Sequence, residues 1–254
     1  MTALLHGQVA FVTAAGSGIS RAGAIALARE GAFVVVTDRD AGLAKQVAAQ
    51  IALLGGRAQG FGLDVTRDAD VTQAIDAAVA QHGQIDILHS HAGVQFSGGL
   101  LEATVEDMDQ SWALNVRSHF VTARAVMPHM KRRKCGSIII TSSNSGVQLD
   151  RQMIAYATTK HAVIAMTRQI AADHAQFNIR CNALCPGFVD TPFNAGFERQ
   201  LGGRGGLESY VQASIPMGRW ADLEEIAQSI VYLASSRSGF MTGHALVLDG
   251  GESL

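Results

Sequence analysis

The sequence predicts an α/β fold, a doubly wound parallel sheet of about seven strands with helices on both faces. Three observations predict it. Short, β-branched, almost continuously apolar runs alternate with Ala- and Leu-rich stretches of 3.6-residue period along the whole chain. Glycine is abundant and proline scarce, 27 against 4 in 254 residues, with no short repeat; that pattern marks tightly turned backbone rather than a linker or a fibre. The first apolar run also opens directly into a Gly-rich turn and a helical pattern. Repeated strand–helix–strand units close with right-handed crossovers into a sheet covered on both sides.

The elements follow in order. Strands are predicted at Gln8–Thr13, Ala32–Thr37, Ala58–Leu63, Ile85–Ser90, Ser137–Thr141, Ile179–Leu184 and His244–Leu248. Helical spacing covers Arg21–Glu30, Ala41–Leu54, Ala69–Gln81, Val105–Met130, Ile154–Gln176 and Leu223–Ala234, the last behind the capping residue Asp222. No compositional break or internal repeat divides the chain, so residues 1–254 read as one domain. Phe193–Ser214 breaks the pattern, with Gly196, Gly202, Gly203, Gly205 and Gly206 between Pro192 and Pro216. Following a strand end, where such sheets bind ligands, it is expected to be a mobile substrate flap at about residues 193–214.

Composition excludes several function classes. Lys and Arg number 20 against 22 Asp and Glu, a formal net charge of -2, so no surplus of cations is available to neutralise a nucleic acid. With 48% apolar and 17% charged residues the chain is not disordered. No apolar run is long enough to span a membrane, and no basic segment precedes the first apolar stretch as in a signal peptide. Cys135, Cys181 and Cys185 are an odd set without a disulfide framework, so a reducing, cytoplasmic location is expected. Neither Cys181-x3-Cys185 nor the pair His89 and His91 has further ligands in register, and no metal is expected.

Chemistry-bearing residues cluster in three places. The first strand runs into Ala14-Ala15-Gly16-Ser17-Gly18-Ile19-Ser20, where backbone N–H groups at a helix start can meet a pyrophosphate. The second strand ends in Asp38, placed to accept from a ribose diol and to repel a 2′-phosphate, while the neighbouring Arg39 could pair with one. Tyr156 and Lys160 share one helix face at i, i+4, and Ser143 precedes Tyr156 just after a strand. A lysine beside a tyrosine favours its phenolate, and a serine hydroxyl can hold a substrate oxygen while the tyrosine moves the proton.

These residues, with Asn115 in Ala113-Leu114-Asn115-Val116, resemble the Ser–Tyr–Lys–Asn set of the short-chain dehydrogenase/reductase family over essentially the whole chain. Ala14 and Ser20 stand where the family's turn has its first and last glycines. Ser90 and His91 replace both asparagines ahead of Ala92-Gly93. Asp64-Val65 matches the adenine segment; Pro186-Gly187, Val189 and Thr191 match the nicotinamide loop; and Thr242-Gly243 and Asp249-Gly250-Gly251 match the C-terminal signature. The resemblance implies a Rossmann-type sheet, NAD as cofactor, and oxidation or reduction between a secondary alcohol and a ketone. Tyr156 would be the general acid/base, and Lys160 would lower its pKa and bind the nicotinamide ribose. Ser143 would orient the substrate oxygen, and Asn115 would carry a water-linked relay. A homotetramer is also implied, supported by the apolar C-terminal strand and tail.

Gln95, Phe96, Gln148, Arg151, Met153 and Phe188 are placed to line a substrate pocket too polar for a steroid or long acyl chain. Arg151, Arg199 or Arg204 could clamp a carboxylate. Together with a likeness to the hydroxybutyrate dehydrogenase branch, this predicts a small polar hydroxy compound, a hydroxy or sugar-derived acid ahead of a neutral polyol. A non-catalytic cofactor-binding scaffold and an NAD-holding epimerase are the competing readings. The intact Ser143, Tyr156 and Lys160 set argues against the first and Ser17 in the turn against the second.

Overall fold

A computed structural model describes residues 3–254 of the chain. The strands are β1 (Val9–Val12), β2 (Phe33–Asp38), β3 (Arg57–Gly62), β4 (Ile87–Ser90), β5 (Gly136–Thr141), β6 (Ile179–Pro186) and β7 (Ala245–Leu248). Every predicted strand is present with its ends within two residues. All pairings are parallel, in the order β3-β2-β1-β4-β5-β6-β7. The order reverses between β1 and β4, and the crevice beyond their C-terminal ends is where such sheets bind ligands.

Helices α1 (Gly18–Arg29), α2 (Ala41–Leu53) and α3 (Asp68–His82) cross between the first strands, followed by α4 (Val105–Trp112), α5 (Ser118–Arg133) and α6 (Ile154–His174). Alternate strand residues feed opposite faces. Ala10 and Val12 join Leu27, Ile51, Ile226 and Ile230 in one core, and Phe11, Val35 and Ile138 join Ile75, Val126 and Val163 in the other. Helix α9 (Leu223–Ala234) packs on α1 so closely that a Cβ at Gly23 would lie 2.6 Å from Ile230 Cδ1. The predicted Asp222 cap closes a reciprocal capping box with Glu225.

Two expectations need correction. Val105–Met130 is not one helix: a π-turn at Ala113–Arg117 separates α4 from α5. The fully buried Asn115 sits in that turn, with its amide drawn to Val94 and Thr159, so a side-chain hydrogen-bonding demand overrides helical spacing there. The glycine-rich span 193–214 is not irregular but forms a helical hairpin, a short 3₁₀ turn then α7 (Ala195–Gln200) and α8 (Arg204–Ser214). Leu207 and Val211 anchor it in the interior, and Gly202 (φ 79°) and Gly203 (φ 106°) supply the left-handed turn between its helices.

Candidate active site

A cavity of about 940 Å³ opens beyond the C-terminal strand ends, with Ser143, Tyr156 and Lys160 together on its wall. Ser143 follows β5, and Tyr156 and Lys160 come from the first turns of α6, with relative exposures of 8%, 6% and 3%. The Ser143 hydroxyl lies 3.1 Å from Asn144 Oδ1 and 3.2 Å from Ser145 Oγ, so its single proton has alternative acceptors. Lys160 Nζ donates to the Thr141 carbonyl at 3.1 Å and sits 5.5 Å from the centre of the Tyr156 ring. Met153 and Phe197 pack against Tyr156.

Burial governs the acid–base groups. It pushes Tyr156 up to about 12, against the nearby Ser143 hydroxyl, which favours the phenolate, and with Asp150, which opposes it. Burial pushes Lys160 down to about 8. The Lys160 ammonium is turned onto the Thr141 carbonyl, and burial outweighs the Ser143 hydroxyl in setting the direction of the Tyr156 shift. Asn115 stands off the cavity lining: its amide accepts from Val94 N–H at 2.7 Å and donates to Val94 O and Thr159 Oγ1, tying the 91–95 segment to α6.

The other half of the cavity is built to take a dinucleotide. Ala14, Ser17, Gly18 and Ile19 line it at the start of α1, whose first turn has no side-chain cap and no acidic residue. Open N–H groups at an uncapped helix start fit a pyrophosphate. Asp38 lines the same half; Oδ2 accepts from Gly16 N–H and Oδ1 from Asp40 N–H, both at 2.9 Å. A Cβ at Gly16 would come within 2.8 Å of that carboxylate. Ala14 holds φ 49°, in the left-handed region that favours glycine, and Ser20 Oγ closes the turn onto Thr13 O at 2.8 Å. His91, Gly93, Pro186, Gly187, Val189 and Thr191 complete the lining. Gly187 is required, since a Cβ there would meet Asp249 Cβ at 2.7 Å.

Gly16, Arg39, Asp64, Val65 and Ala92 stand behind or beside this wall rather than on it. The Asp64 carboxyl is held below its ordinary range by the Thr66 hydroxyl and N–H. At the strand end, His89 Nε2 and His91 Nδ1 both meet Thr141 Oγ1, at 3.0 and 2.9 Å. Burial keeps both imidazoles neutral, His89 at about 3.

On the substrate side Gln95, Gln148, Arg151, Met153 and Phe188 line the cavity as expected, whereas Phe96 does not. Arg151 is exposed and has no ion-pair partner among the described residues. Arg204 is not a free clamp: both ends of its guanidinium hold Asp190 at 2.7 Å, Nε holds Glu208, and the group lies over Trp220. Sequence reasoning missed Asn144, Asp150, Tyr210 and Glu252 on the wall. Glu252 follows the matched Asp249-Gly250-Gly251 run directly, but its place beside Asn144 depends on β6–β7 pairing, which spacing does not reveal.

A sequence-family model described as enoyl-(acyl carrier protein) reductase matches residues 13–253. The chain is also 38% identical to dehydrogenase/reductase SDR family member 6 of Rattus norvegicus, covering 98% of this chain and 99% of the relative. The chain is a short-chain dehydrogenase/reductase. As such it is an oxidoreductase of a family that uses a nicotinamide cofactor. This short-chain dehydrogenase/reductase is 40% identical to 2-keto-3-deoxy-L-fuconate dehydrogenase of Xanthomonas campestris, over 98% of its length and 81% of that protein's. Its fold matches a gluconate 5-dehydrogenase from Burkholderia cenocepacia, solved with NADP and tartrate, with a TM-score of 0.93 and 33% identity over 99% and 97% of the two chains. Among the described residues, no helix is long and apolar enough to cross a membrane.

Proposed function

We propose that the protein is an NAD-dependent oxidoreductase that interconverts the secondary alcohol and ketone of a small polar substrate, a hydroxy or sugar-derived acid. The observation that carries this reading is the convergence of Ser143, Tyr156 and Lys160 on one wall of a cavity whose other half fits a dinucleotide. A nicotinamide cofactor held by the Ala14–Ile19 turn and Asp38 would supply hydride-transfer chemistry. The chain's own residues handle the proton. Ser143 Oγ donates to the substrate oxygen, and Tyr156 takes the alcohol proton during oxidation and returns it during reduction. Lys160 would hold the nicotinamide ribose and would place its positive charge near the phenolate that forms. Asn115, with its amide fully engaged, is a positioning residue that fixes the 91–95 wall.

NAD is favoured over NADP because Asp38 is locked by two backbone N–H groups, leaving a carboxylate where a 2′-phosphate would lie. The substrate class is supported by the polar lining, by the exposed Arg151 at the cavity, and by relatives named for a sugar acid and for gluconate. A neutral polyol is the second reading, favoured by the cavity carboxylates Asp150 and Glu252. One domain over residues 1–254, assembly as a homotetramer and a cytoplasmic location complete the proposal. Bare apolar residues such as Phe240 and Leu254, and the free thiols, support the last two.

The test is a screen of NAD and NADP reduction across hydroxy acids, sugars, polyols and apolar secondary alcohols, repeated with Arg151→Ala. Turnover of hydroxy acids that falls in the variant is expected. Preference for apolar alcohols with no effect of Arg151→Ala would refute the anionic substrate. Light scattering at micromolar concentration that shows a 26.8 kDa particle would refute the tetramer.

A further inference from the structure

The substrate half of the cavity carries a carboxylate that none of the family motifs explains. Glu252 is brought to the wall by the turn after β7, and Asp249 builds that turn by accepting from Gly251 N–H at 3.0 Å and Ser253 N–H at 2.9 Å. The Glu252 carboxylate is then pinned from two other elements. Oε2 accepts from Asn144 Nδ2 at 2.9 Å, and Oε1 faces the Tyr210 hydroxyl of α8 at 3.4 Å. A Cβ on Gly187 would lie 3.3 Å from Oε2, which puts the carboxylate against the loop beside the reacting end of the cavity.

Two consequences follow for a ligand. Each carboxylate oxygen has a second lone pair free after these contacts, so Glu252 can still accept from a hydroxyl. Among the described residues it has no cationic partner, so its negative charge is not neutralised. Gln95 Oε1 is a buried acceptor on the same wall with no partner, and Asp150 adds a further carboxylate there. Carboxylates of Glu252 and Asp150 and the amide oxygen of Gln95 thus line this part of the cavity, with the exposed Arg151 as a donor on the same cavity, and acceptors of this kind suit the hydroxyl groups of a ligand.

We propose that Glu252 is the specificity-determining residue of this cavity: with Asn144 and Tyr210 it forms a subsite for a hydroxyl-bearing, uncharged part of the substrate and repels a carboxylate placed there. The proposal rests on the reading of this cavity as the substrate site. It deepens that reading, because a hydroxy acid must then turn its carboxylate away from Glu252 and its hydroxylated end toward it. The same geometry makes the selection depend on pH. Glu252 is surrounded by Asp150 from the loop before α6, Asp249 on its own turn and Tyr210 on α8, with Lys160 and Arg151 the cations of the same cavity half. Burial, assisted by Asp150, pushes the Glu252 carboxyl up to about 7. Below that value the protonated side chain can donate to an anion, and above it the ionised one repels the anion.

The test uses the full chain saturated with NAD and a matched pair of four-carbon ligands, tartrate and threitol, titrated calorimetrically at pH 6 and pH 8. Tartrate stays doubly ionised over that range and threitol neutral, so only the protein changes charge. Wild-type affinity for tartrate should fall about tenfold from pH 6 to pH 8, the change expected if the anion binds the protonated form of a group titrating near 7. Threitol affinity should change less than about threefold. Glu252→Gln should flatten the tartrate profile, tighten tartrate binding at pH 8 and weaken threitol. Asp150→Asn, which leaves Glu252 in place, should move the tartrate midpoint to lower pH. A pH-independent wild type, a profile unchanged in Glu252→Gln, or binding of neither ligand overturns the proposal. Loss of turnover in Tyr156→Phe, measured separately, would leave the dehydrogenase reading standing when the Glu252 effect is absent.

Discussion

The two halves of the cavity are built in different ways. The cofactor half is made from strand ends and the turns that leave them: Thr13–Ser20 after β1, Asp38 at the end of β2, His91 after β4 and Thr141 in β5. Its polar groups bond one another, within the β1–α1 turn in Ser20 to Thr13 and between neighbouring strand ends in His91 N–H to Thr13 Oγ1 and Gly16 N–H to Asp38. The substrate half is gathered from segments far apart in the chain, namely the 148–153 loop, the α7–α8 hairpin and the C-terminal turn. One half is fixed by the sheet, and the other is fixed by contacts among its own loops. The cofactor half should therefore tolerate change poorly and affect both ligands, while changes in the substrate half should alter the choice of substrate.

The largest effect expected is at the boundary between the halves. Tyr156→Phe removes the acid/base hydroxyl and should lower kcat by roughly 10²–10⁴ with cofactor affinity nearly unchanged, measured by steady-state kinetics and by fluorescence titration of the reduced cofactor. Wild-type-like turnover would refute the role assigned to it. Next is the acid sensitivity of the sheet end. His89 and His119 are fully buried and held neutral, with pKa values depressed below the unfolded value, His89 at about 3. Their contribution to stability is complete above the unfolded value near 6.5 and is lost as pH falls below it. Keeping His89 neutral at pH 5 costs about 2 kcal/mol, and His119 and His91 add to the loss in the same direction. Urea unfolding at pH 7 and pH 5 should show a loss of at least that size, and His119→Asn should reduce it.

Asp38→Ala isolates the cofactor half. Hydrogen bonds to a charged group contribute about 1.5–3 kcal/mol, so wild type should prefer NAD by about 10- to 100-fold in kcat/KM and the variant should lose most of that preference. Equal efficiency with both cofactors in wild type would show that Arg39 dominates. A smaller gain tests the turn itself. Ala14 occupies the left-handed region at φ 49°, so Ala14→Gly should raise stability by about 1 kcal/mol in thermal or urea unfolding. The smallest effect belongs to the other half. Arg204→Ala cuts the hairpin's links to Asp190, Glu198 and Glu208 and should raise substrate KM about threefold, with cofactor KM unmoved. Equal changes in both constants would break the proposed division.

The same division explains what could be read from the sequence. The seven strands and the set Ser143, Tyr156 and Lys160 were legible because buried parallel strands require continuous apolar runs and because an i, i+4 spacing fixes a helix face. Ala14 and Ser20 looked like defects in a glycine turn. The structure shows one holding the glycine conformation and the other supplying a closing hydrogen bond. The π-turn at Asn115 was hidden because its cause is a side-chain bond to Val94, 21 residues away. Arg204 appeared free because its main partner, Asp190, lies 14 residues back and reaches it only once the hairpin folds. Glu252 could not be placed on the wall, since Asn144 is 108 residues away.

Thr141 Oγ1 has one proton and stands between two ring nitrogens, His89 Nε2 and His91 Nδ1. It can donate to only one of them, so the other must donate to it, and the tautomers of the two rings are tied together. The buried His89 Nδ1 has no partner, and an orphaned buried acceptor is tolerated better than an orphaned donor. His89 therefore carries its proton on Nε2, Thr141 passes its own to His91 Nδ1, and His91 is left with N–H on Nε2. Nitrogen-15 shifts of the two rings would read this order directly; the reverse assignment would break it. The imidazole that replaces an asparagine on the cavity wall thus keeps its proton on Nε2, a choice dictated by His89, two residues earlier and off the cavity lining.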